Sequence, residues 1–173
     1  LDVRAAVRWV RRRAGEIGVR PDAICVWGES AGGHLALMAG VRGGLAIPGE
    51  ASHDPADVAA VVDWYGPTDF SAMDRQAPPD AAMVHDAADS PESLLLGAPV
   101  QTVPELVADA NPATFVRPGL PPFLIRHGSR DRLVPVGQSE LMVDALARAG
   151  CPVDWRSVAG ADHVFDGHPD PGS

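Results

Sequence analysis

The stretch AICVWGESAGGH, residues 23–34, decides the fold. Its first five residues are apolar and lie between Pro21-Asp22 and a glycine, which predicts a fully buried strand of a parallel sheet. A helix is predicted from residue 31 to about residue 42. The segment between them has the form Gly-x-Ser-x-Gly, which is typical of a sharp strand-to-helix turn that presents its serine, here Ser30.

The backbone at Ser30 is predicted to be strained, because a strand that turns directly into a helix forces the middle residue into an unfavourable conformation. We expect Gly28 and Gly32 to be required, since side chains two residues from the serine would clash at such a turn. The turn also places Ser30 at a helix N-terminus, where free N–H groups favour a developing anion. Ser30 is therefore the predicted nucleophile, and the N–H of Ala31 the predicted oxyanion donor.

The rest of the chain alternates between helical and strand patterns. Apolar residues at helical spacing predict helices at residues 2–17, 91–96, 104–109 and 135–149. Apolar runs bounded by turn residues predict further strands at residues 58–65, 122–127 and 153–158. This order predicts one α/β domain over residues 1–173, with a mostly parallel sheet flanked by helices. The irregular stretch at residues 71–110 is interpreted as a lid or pocket wall, with surface packing as the alternative.

The residues that directly follow each strand are the candidates for chemistry, because ligands bind beyond the carboxyl ends of parallel strands. Asp131 follows the third predicted strand, and His163 follows the last one. A serine hydroxyl needs a base to accept its proton, and the base needs an acid to orient it. The chain order Ser30, Asp131, His163 is the one expected when the serine lies on a turn of this kind.

Other acidic and histidine side chains are weaker candidates. Asp162 is disfavoured because adjacent side chains diverge, and Glu29 is expected to point into the sheet. His168 is the main rival of His163, but it does not directly follow a strand. The remaining histidines are assigned to core or loop positions: His34, His53, His85 and His127. A metal site is disfavoured because no second ligand cluster accompanies the only candidate group, Asp162, His163, Asp166 and His168.

The segment WYGPTD, residues 64–69, follows the second predicted strand and should border the same cleft. Trp64 and Tyr65 are candidates for the wall of a substrate pocket. The alternative, that both are ordinary aromatic residues of the hydrophobic core, is equally well supported by the sequence. Glu29, beside the serine, is a third pocket candidate. These three residues complete the predicted site.

Composition excludes some classes of function. The formal net charge of −9 argues against a nucleic-acid surface, which needs clustered positive charge. No apolar run is long enough for a membrane span. The basic residues near the N-terminus are interpreted as a solvated helix face: Arg4, Arg8, Arg11, Arg12 and Arg13.

The two cysteines, Cys25 and Cys151, do not form a disulfide framework in a chain of this length. Cys25 lies in an apolar run and is expected to be a small buried thiol. Reduced thiols favour a cytoplasmic location, and the oligomeric state stays open.

Five segments occur together in this chain: GESAGGH (28–34), WYGPTD (64–69), SPESLLLG (90–97), HGSRDRLVP (127–135) and GADH (160–163). In this order they resemble bacterial esterases of the hormone-sensitive-lipase and BD-FAE (feruloyl-esterase-like) branch of the α/β-hydrolases. The resemblance spans nearly the whole chain. It implies the C-terminal portion of an α/β-hydrolase fold and an acyl-enzyme mechanism on small or medium carboxylic esters, without a cofactor. On that basis Ser30, Asp131 and His163 would form the catalytic triad.

Two alternatives stay open. An amide or peptide hydrolase of the prolyl-oligopeptidase or formamidase type would use the same triad, and a non-catalytic binding domain would keep only the fold. The bacterial esterases that this chain resembles also carry a His-Gly-Gly segment upstream of the serine turn, on the loop that supplies further oxyanion N–H groups. Because no such segment precedes residue 28, we expect a chain truncated at both ends, without the first strands and the closing helix.

Overall fold

A computed structural model of the chain describes residues 1–50 and 54–168. In this part of the chain, one parallel sheet contains four adjacent strands, in the order β1 (Cys25–Glu29), β2 (Ala60–Trp64), β3 (Phe123–Gly128) and β4 (Val153–Val158). Cys25 pairs with Ala60, and Phe123 pairs with both Val61 and Val153. The carboxyl ends of the strands therefore share one edge, and the predicted α/β fold with a parallel sheet is confirmed.

Helices flank this sheet. The α-helices of the described residues are α1 (Asp2–Arg12), α2 (Ala14–Ile17), α3 (Ala31–Arg42), α4 (Met73–Gln76), α5 (Pro91–Leu96), α6 (Pro104–Ala110) and α7 (Gly137–Arg148). Short 3-10 helices lie at Phe70–Ala72, Val100–Thr102, Pro112–Phe115 and His163–Phe165. The helix predicted over residues 2–17 is divided at Arg13, where ψ is 10°, and it ends at Gly18, where φ is 72°.

The main core lies where α3 and α7 pack against the sheet. Its buried side chains include Leu37, Val41, Val61, Phe123, Ile125, Met142 and Leu146. Burying one such side chain contributes about 1.5–3 kcal/mol. At Gly40 of α3 a side chain would overlap Val61 of β2, so this glycine allows the helix to lie directly on the sheet. This packing fixes α3, and with it the turn that precedes the helix.

Residues 71–110 contain short helices around a second, smaller core. The buried side chains of this core are Phe70, Met73, Val100, Val107 and Val134. Helix α5 begins and ends as its sequence predicts: the Ser90 hydroxyl accepts the N–H of Ser93 at 3.1 Å, and Gly97 ends the helix with φ 78°. The role of this region as a lid or pocket wall stays a prediction.

Strand β1 differs from the predicted fully buried strand. It is one of the two edge strands of the described sheet, Cys25 is exposed, and Trp27 is 62% exposed. An apolar run identifies a strand, but it does not tell how many neighbouring elements cover it. The prediction of a buried Cys25 thiol is therefore wrong, and Cys151 is the buried cysteine.

Arg4 and Arg8 are buried, whereas the sequence pattern assigned them to a solvated helix face. Both guanidinium groups bind Oε1 of Glu50 at 2.7 Å, and these hydrogen bonds hold the pKa of Glu50 well below its usual range. Periodicity within the helix could not reveal this contact, because the partner lies in the loop after α3. This loop is described only in part, and His53 lies outside the described residues.

Candidate active site

Ser30 lies between β1 and α3 with φ 53° and ψ −121°. A positive φ is unfavourable for a residue other than glycine, so the turn is strained. Two backbone hydrogen bonds hold it: Ser30 donates its N–H to the carbonyl of Trp64 at 2.9 Å, and its carbonyl accepts the N–H of His34 at 3.0 Å. The neighbouring strand and the following helix thus keep the serine in a conformation that it would otherwise avoid.

The close packing around this turn depends on Gly28 and Gly33. A side chain at Gly28 would overlap the backbone of Gly32, and one at Gly33 would overlap the carboxylate of Asp63. At Gly32 itself an added Cβ would meet no described atom within 4 Å beyond its chain neighbours and the backbone of its own helix. The predicted steric requirement is therefore present at Gly28, whereas at the other end of the turn it falls on Gly33.

The structure joins Ser30, His163 and Asp131 in one continuous chain of hydrogen-bond contacts. Nε2 of His163 lies 3.1 Å from Oγ of Ser30, and Nδ1 lies 2.7 Å from Oδ2 of Asp131. A carboxylate only accepts hydrogen bonds, so the proton of the neutral imidazole is on Nδ1 and Nε2 is free to accept the serine proton. The arrangement therefore has the geometry of a nucleophile, a base and an orienting acid.

Asp131 is buried and held by the backbone of its own loop. Its Oδ1 accepts the N–H groups of Leu133 at 2.9 Å and Val134 at 2.8 Å. Burial alone would raise the pKa of Asp131, but hydrogen bonds from His127 and His163 outweigh it, and the pKa is well below its usual range. The acid is therefore ionised at neutral pH, as required to orient an imidazole.

The loops that carry Asp131 and His163 are joined to each other. Arg130 donates its N–H to the carbonyl of Ala161 at 2.9 Å, and Arg132 donates its N–H to the Asp162 carboxylate at 2.9 Å. The Asp162 carboxylate also accepts the backbone N–H of His163 at 2.8 Å. Asp162 therefore fixes the loop backbone and is not bound to the imidazole.

Tyr65 packs behind the imidazole. Its ring centroid lies 4.7 Å from that of His163, its hydroxyl donates to Oε2 of Glu29 at 2.8 Å, and only 2% of its surface is exposed. Burial and the Glu29 carboxylate raise the pKa of Tyr65. Trp64 is half-buried and meets Phe165 edge to face at 5.3 Å. The proposed pocket roles of Glu29, Trp64 and Tyr65 stay predictions.

An apolar cavity opens beside Ala31, the first residue of α3. Because of that position the Ala31 N–H has no partner within the helix, so it is available to a ligand. The cavity has a volume of about 250 Å³ and is lined by Ala31, His34, Leu35, Pro67, Phe70, Pro91, Glu92 and Leu95. Helix α5 of the irregular region thus forms one wall of this cavity.

Two of the competing histidines, His34 and His85, have partners outside the line of contacts from Ser30 to Asp131. Nδ1 of His34 lies 3.0 Å from the carbonyl of Pro67. His85 lies in a loop, as predicted, and is buried there. Its Nε2 is 2.8 Å from the carbonyl of Leu133, and its Nδ1 is 3.1 Å from Glu92. Over residues 1–50 and 54–168, no group of three or more His, Cys, Asp and Glu side chains is placed to hold a metal ion. None of the described helices is both long and apolar enough to cross a membrane.

Asp63 is an acidic residue inside strand β2 and is fully buried beneath the serine turn. It was not among the predicted site residues. Its Oδ1 accepts the N–H of Gly66 at 3.0 Å, whereas Oδ2 has no hydrogen-bond partner among the described residues. Burial raises the pKa of Asp63 to about 7, and the hydrogen bond from Gly66 offsets only part of this effect. A carboxylic acid within the otherwise apolar run AVVDW was the signal that could have identified it.

We expect Asp63→Asn to remove a pH dependence of stability. Between about pH 4 and about pH 7 the Asp63 carboxyl keeps its proton in the folded protein but has released it in the unfolded chain. The free energy of unfolding should therefore fall as pH rises through this window, by up to about 1.4 kcal/mol per pH unit. Urea denaturation at pH 5 and pH 7 should show this loss in the wild type and not in Asp63→Asn. The exposed Asp89→Asn is the matched control and should keep the wild-type slope; equal slopes in all three proteins would contradict the prediction.

Comparison with known proteins places the chain in a family. The esterase LipC of Mycobacterium tuberculosis is 36% identical over 96% of this chain, which spans 40% of the length of LipC. A truncated form of a carbohydrate esterase from gut microbiota is 31% identical, with a TM-score of 0.78 over 95% of this chain and 60% of the other. The propionate-bound esterase Est2 of Thermogutta terrifontis is 29% identical, with a TM-score of 0.71 over 98% of this chain and 57% of the other.

The chain thus spans about two fifths of the curated relative and somewhat over half of the two structures. The family model of BD-FAE matches residues 1–146, from α1 through most of α7, and includes both Ser30 and Asp131. A match over most of the chain, together with the shared fold, identifies it as a member of the BD-FAE family.

Proposed function

We propose that the protein hydrolyses carboxylic esters through an acyl-enzyme on Ser30. The observation that carries this proposal is the line of contacts from Asp131 through His163 to a serine on a strained turn, with distances of 2.7 Å and 3.1 Å. Membership of the BD-FAE family and the similarity to LipC and Est2, both named as esterases, support the same reaction.

In the proposed reaction His163 removes the Ser30 proton at Nε2 while Asp131 holds the Nδ1 proton in place. Oγ of Ser30 attacks the ester carbonyl, and the oxyanion binds the N–H of Ala31. His163 then gives its proton to the leaving alcohol, and an acyl ester on Ser30 remains. Water, activated by the same imidazole, attacks this ester and releases the carboxylic acid and free Ser30.

The cavity beside Ala31 is the proposed binding site for either the acyl group or the alcohol group of the ester. Its volume of about 250 Å³ lies just below the range of roughly 300–1,000 Å³ that is usual for small-molecule pockets. Its mostly apolar lining favours an uncharged acyl or alcohol group, because an unpaired charge would lose its hydration there. Small or medium esters are therefore the proposed substrates; the propionate in one related structure is an acid that such an ester would release.

The test is covalent labelling with a fluorophosphonate, followed by peptide mass spectrometry. We expect one label per chain, on the peptide that contains Ser30, and parallel turnover of p-nitrophenyl acetate and butyrate. Aminoacyl anilides serve as the comparison, because an amide or peptide hydrolase would turn them over at rates similar to those for the esters. A folded protein that takes no label at Ser30 and hydrolyses no ester would contradict the proposal and favour a binding domain.

A further inference from the structure

A second imidazole contacts the carboxylate of Asp131. His127, at the end of β3, has no exposed surface. Its Nε2 lies 3.3 Å from Oδ2 of Asp131 and 2.8 Å from the carbonyl of Val134, and its Nδ1 lies 2.7 Å from Oγ of Ser139. The same Oδ2 also binds His163, so the two histidines share one carboxylate oxygen.

The partners of His127 determine where its proton lies. A backbone carbonyl only accepts hydrogen bonds, so Nε2 must carry the hydrogen that Val134 accepts. Nδ1 is then the acceptor, and the hydroxyl of Ser139 donates to it. The Nε2–H group therefore donates to the carbonyl of Val134 at 2.8 Å, and the same nitrogen lies 3.3 Å from Oδ2 of Asp131.

Two donor groups thus lie within 3.3 Å of each oxygen of Asp131. Oδ1 accepts the N–H groups of Leu133 and Val134. Oδ2 accepts the Nδ1–H group of His163 at 2.7 Å and lies 3.3 Å from Nε2 of His127. Charge-assisted hydrogen bonds of this kind favour the ionised acid and restrict the rotation of its carboxylate plane. Without His127, only His163 would determine the position of Oδ2.

We propose that His127 is a positioning residue that holds the Asp131 carboxylate in the orientation in which it fixes His163. The inference rests on the proposed function for its effect on rate, whereas the contact itself can be tested without any turnover. The alternative is that His127 only joins β3 to the loop through Val134 and Ser139. That purely structural role would change stability but would leave the rate profile unchanged.

His127→Asn separates these two roles, because an asparagine amide can still reach Ser139 but is too short to reach Asp131. We expect kcat to fall by roughly 10- to 100-fold, as for the loss of one hydrogen bond to a charged group, with KM nearly unchanged. The acid limb of the kcat/KM profile should move to higher pH, since a carboxylate with one donor fewer attracts the protonated form of His163 more strongly. His127→Gln, whose longer side chain can return an N–H toward Oδ2, should restore most of the rate.

Ser139→Ala is the matched control. It removes the other hydrogen bond of His127 but keeps the contact with Asp131. We therefore expect kcat within about twofold of the wild type and an acid limb at the wild-type pH, while the melting temperature falls. An unchanged kcat and acid limb in folded His127→Asn, with only a lower melting temperature, would show that the role is structural and overturn the proposal.

A second measurement does not depend on folding of the His127 variants or on activity. The proton on Nε2 of His127 can be followed by NMR in the wild type and in Asp131→Asn, which replaces its acceptor by an amide. We expect this resonance to move clearly in Asp131→Asn and to stay close to its wild-type position in Asp162→Asn. A resonance that is the same in all three proteins would overturn the proposal even if ester hydrolysis is established. If the resonance moves but the protein hydrolyses no ester, only the proposed function is contradicted.

Discussion

Ser30→Ala should lower ester turnover by roughly 10⁶-fold. The methyl group cannot attack a carbonyl, and His163 loses the proton donor at 3.1 Å. The fold should persist, because alanine keeps the Cβ of serine and the backbone hydrogen bonds to Trp64 and His34 do not involve the hydroxyl. Steady-state kinetics with p-nitrophenyl butyrate, with circular dichroism on the same samples, measures both effects.

Ser157→Ala is the matched control for this change. Ser157 is an exposed residue of β4, so its hydroxyl can be removed without disturbing the serine turn. We expect this variant to keep the wild-type rate and the fluorophosphonate label. Comparable turnover in Ser30→Ala and the wild type would exclude Ser30 as the nucleophile, whatever the geometry around it.

The serine turn could be predicted from sequence because its determinants are local. A short apolar strand, a small-residue turn and a helix lie within 20 residues of one another, and the predicted bounds of α3 agree with the structure. Asp131 and His163 could also be found, since a parallel sheet places the ends of all its strands at one edge. Strand order and the direction of the sheet thus carry most of the information about the candidate site.

Burial and long-range partners could not be predicted in the same way. The exposure of Trp27 depends on which elements cover β1, and the burial of Arg4 depends on Glu50 in a distant loop. Similarly, no local pattern indicates that His127 and His163 meet on one carboxylate oxygen. Such contacts depend on how separate loops pack, which periodicity within a single element does not encode.

Asp131→Asn should lower kcat by about 10⁴-fold with little change in KM. The loop determines which way the new amide turns: the N–H groups of Leu133 and Val134 donate to Oδ1, so the amide oxygen must take that place. The NH₂ group then occupies the place of Oδ2 and donates to Nδ1 of His163. The imidazole must therefore carry its own proton on Nε2, where it can no longer accept the proton of Ser30.

Asp162→Asn is the control that separates this effect from a general loss of charge at the site. Asp162 is adjacent to His163 in the chain, but its carboxylate binds the backbone of the loop and the side chain of Arg132. The amide oxygen of the asparagine can still accept the N–H groups of Arg132 and His163. Because only a partly exposed ion pair is lost, kcat should stay within about threefold of the wild type. If both asparagine variants lost activity equally, orientation of the imidazole by Asp131 could not be the cause. A loss confined to Asp131→Asn, with a Ser30→Ala/Asp131→Asn double variant that is no slower than Ser30→Ala alone, would show that the two residues act in one unit.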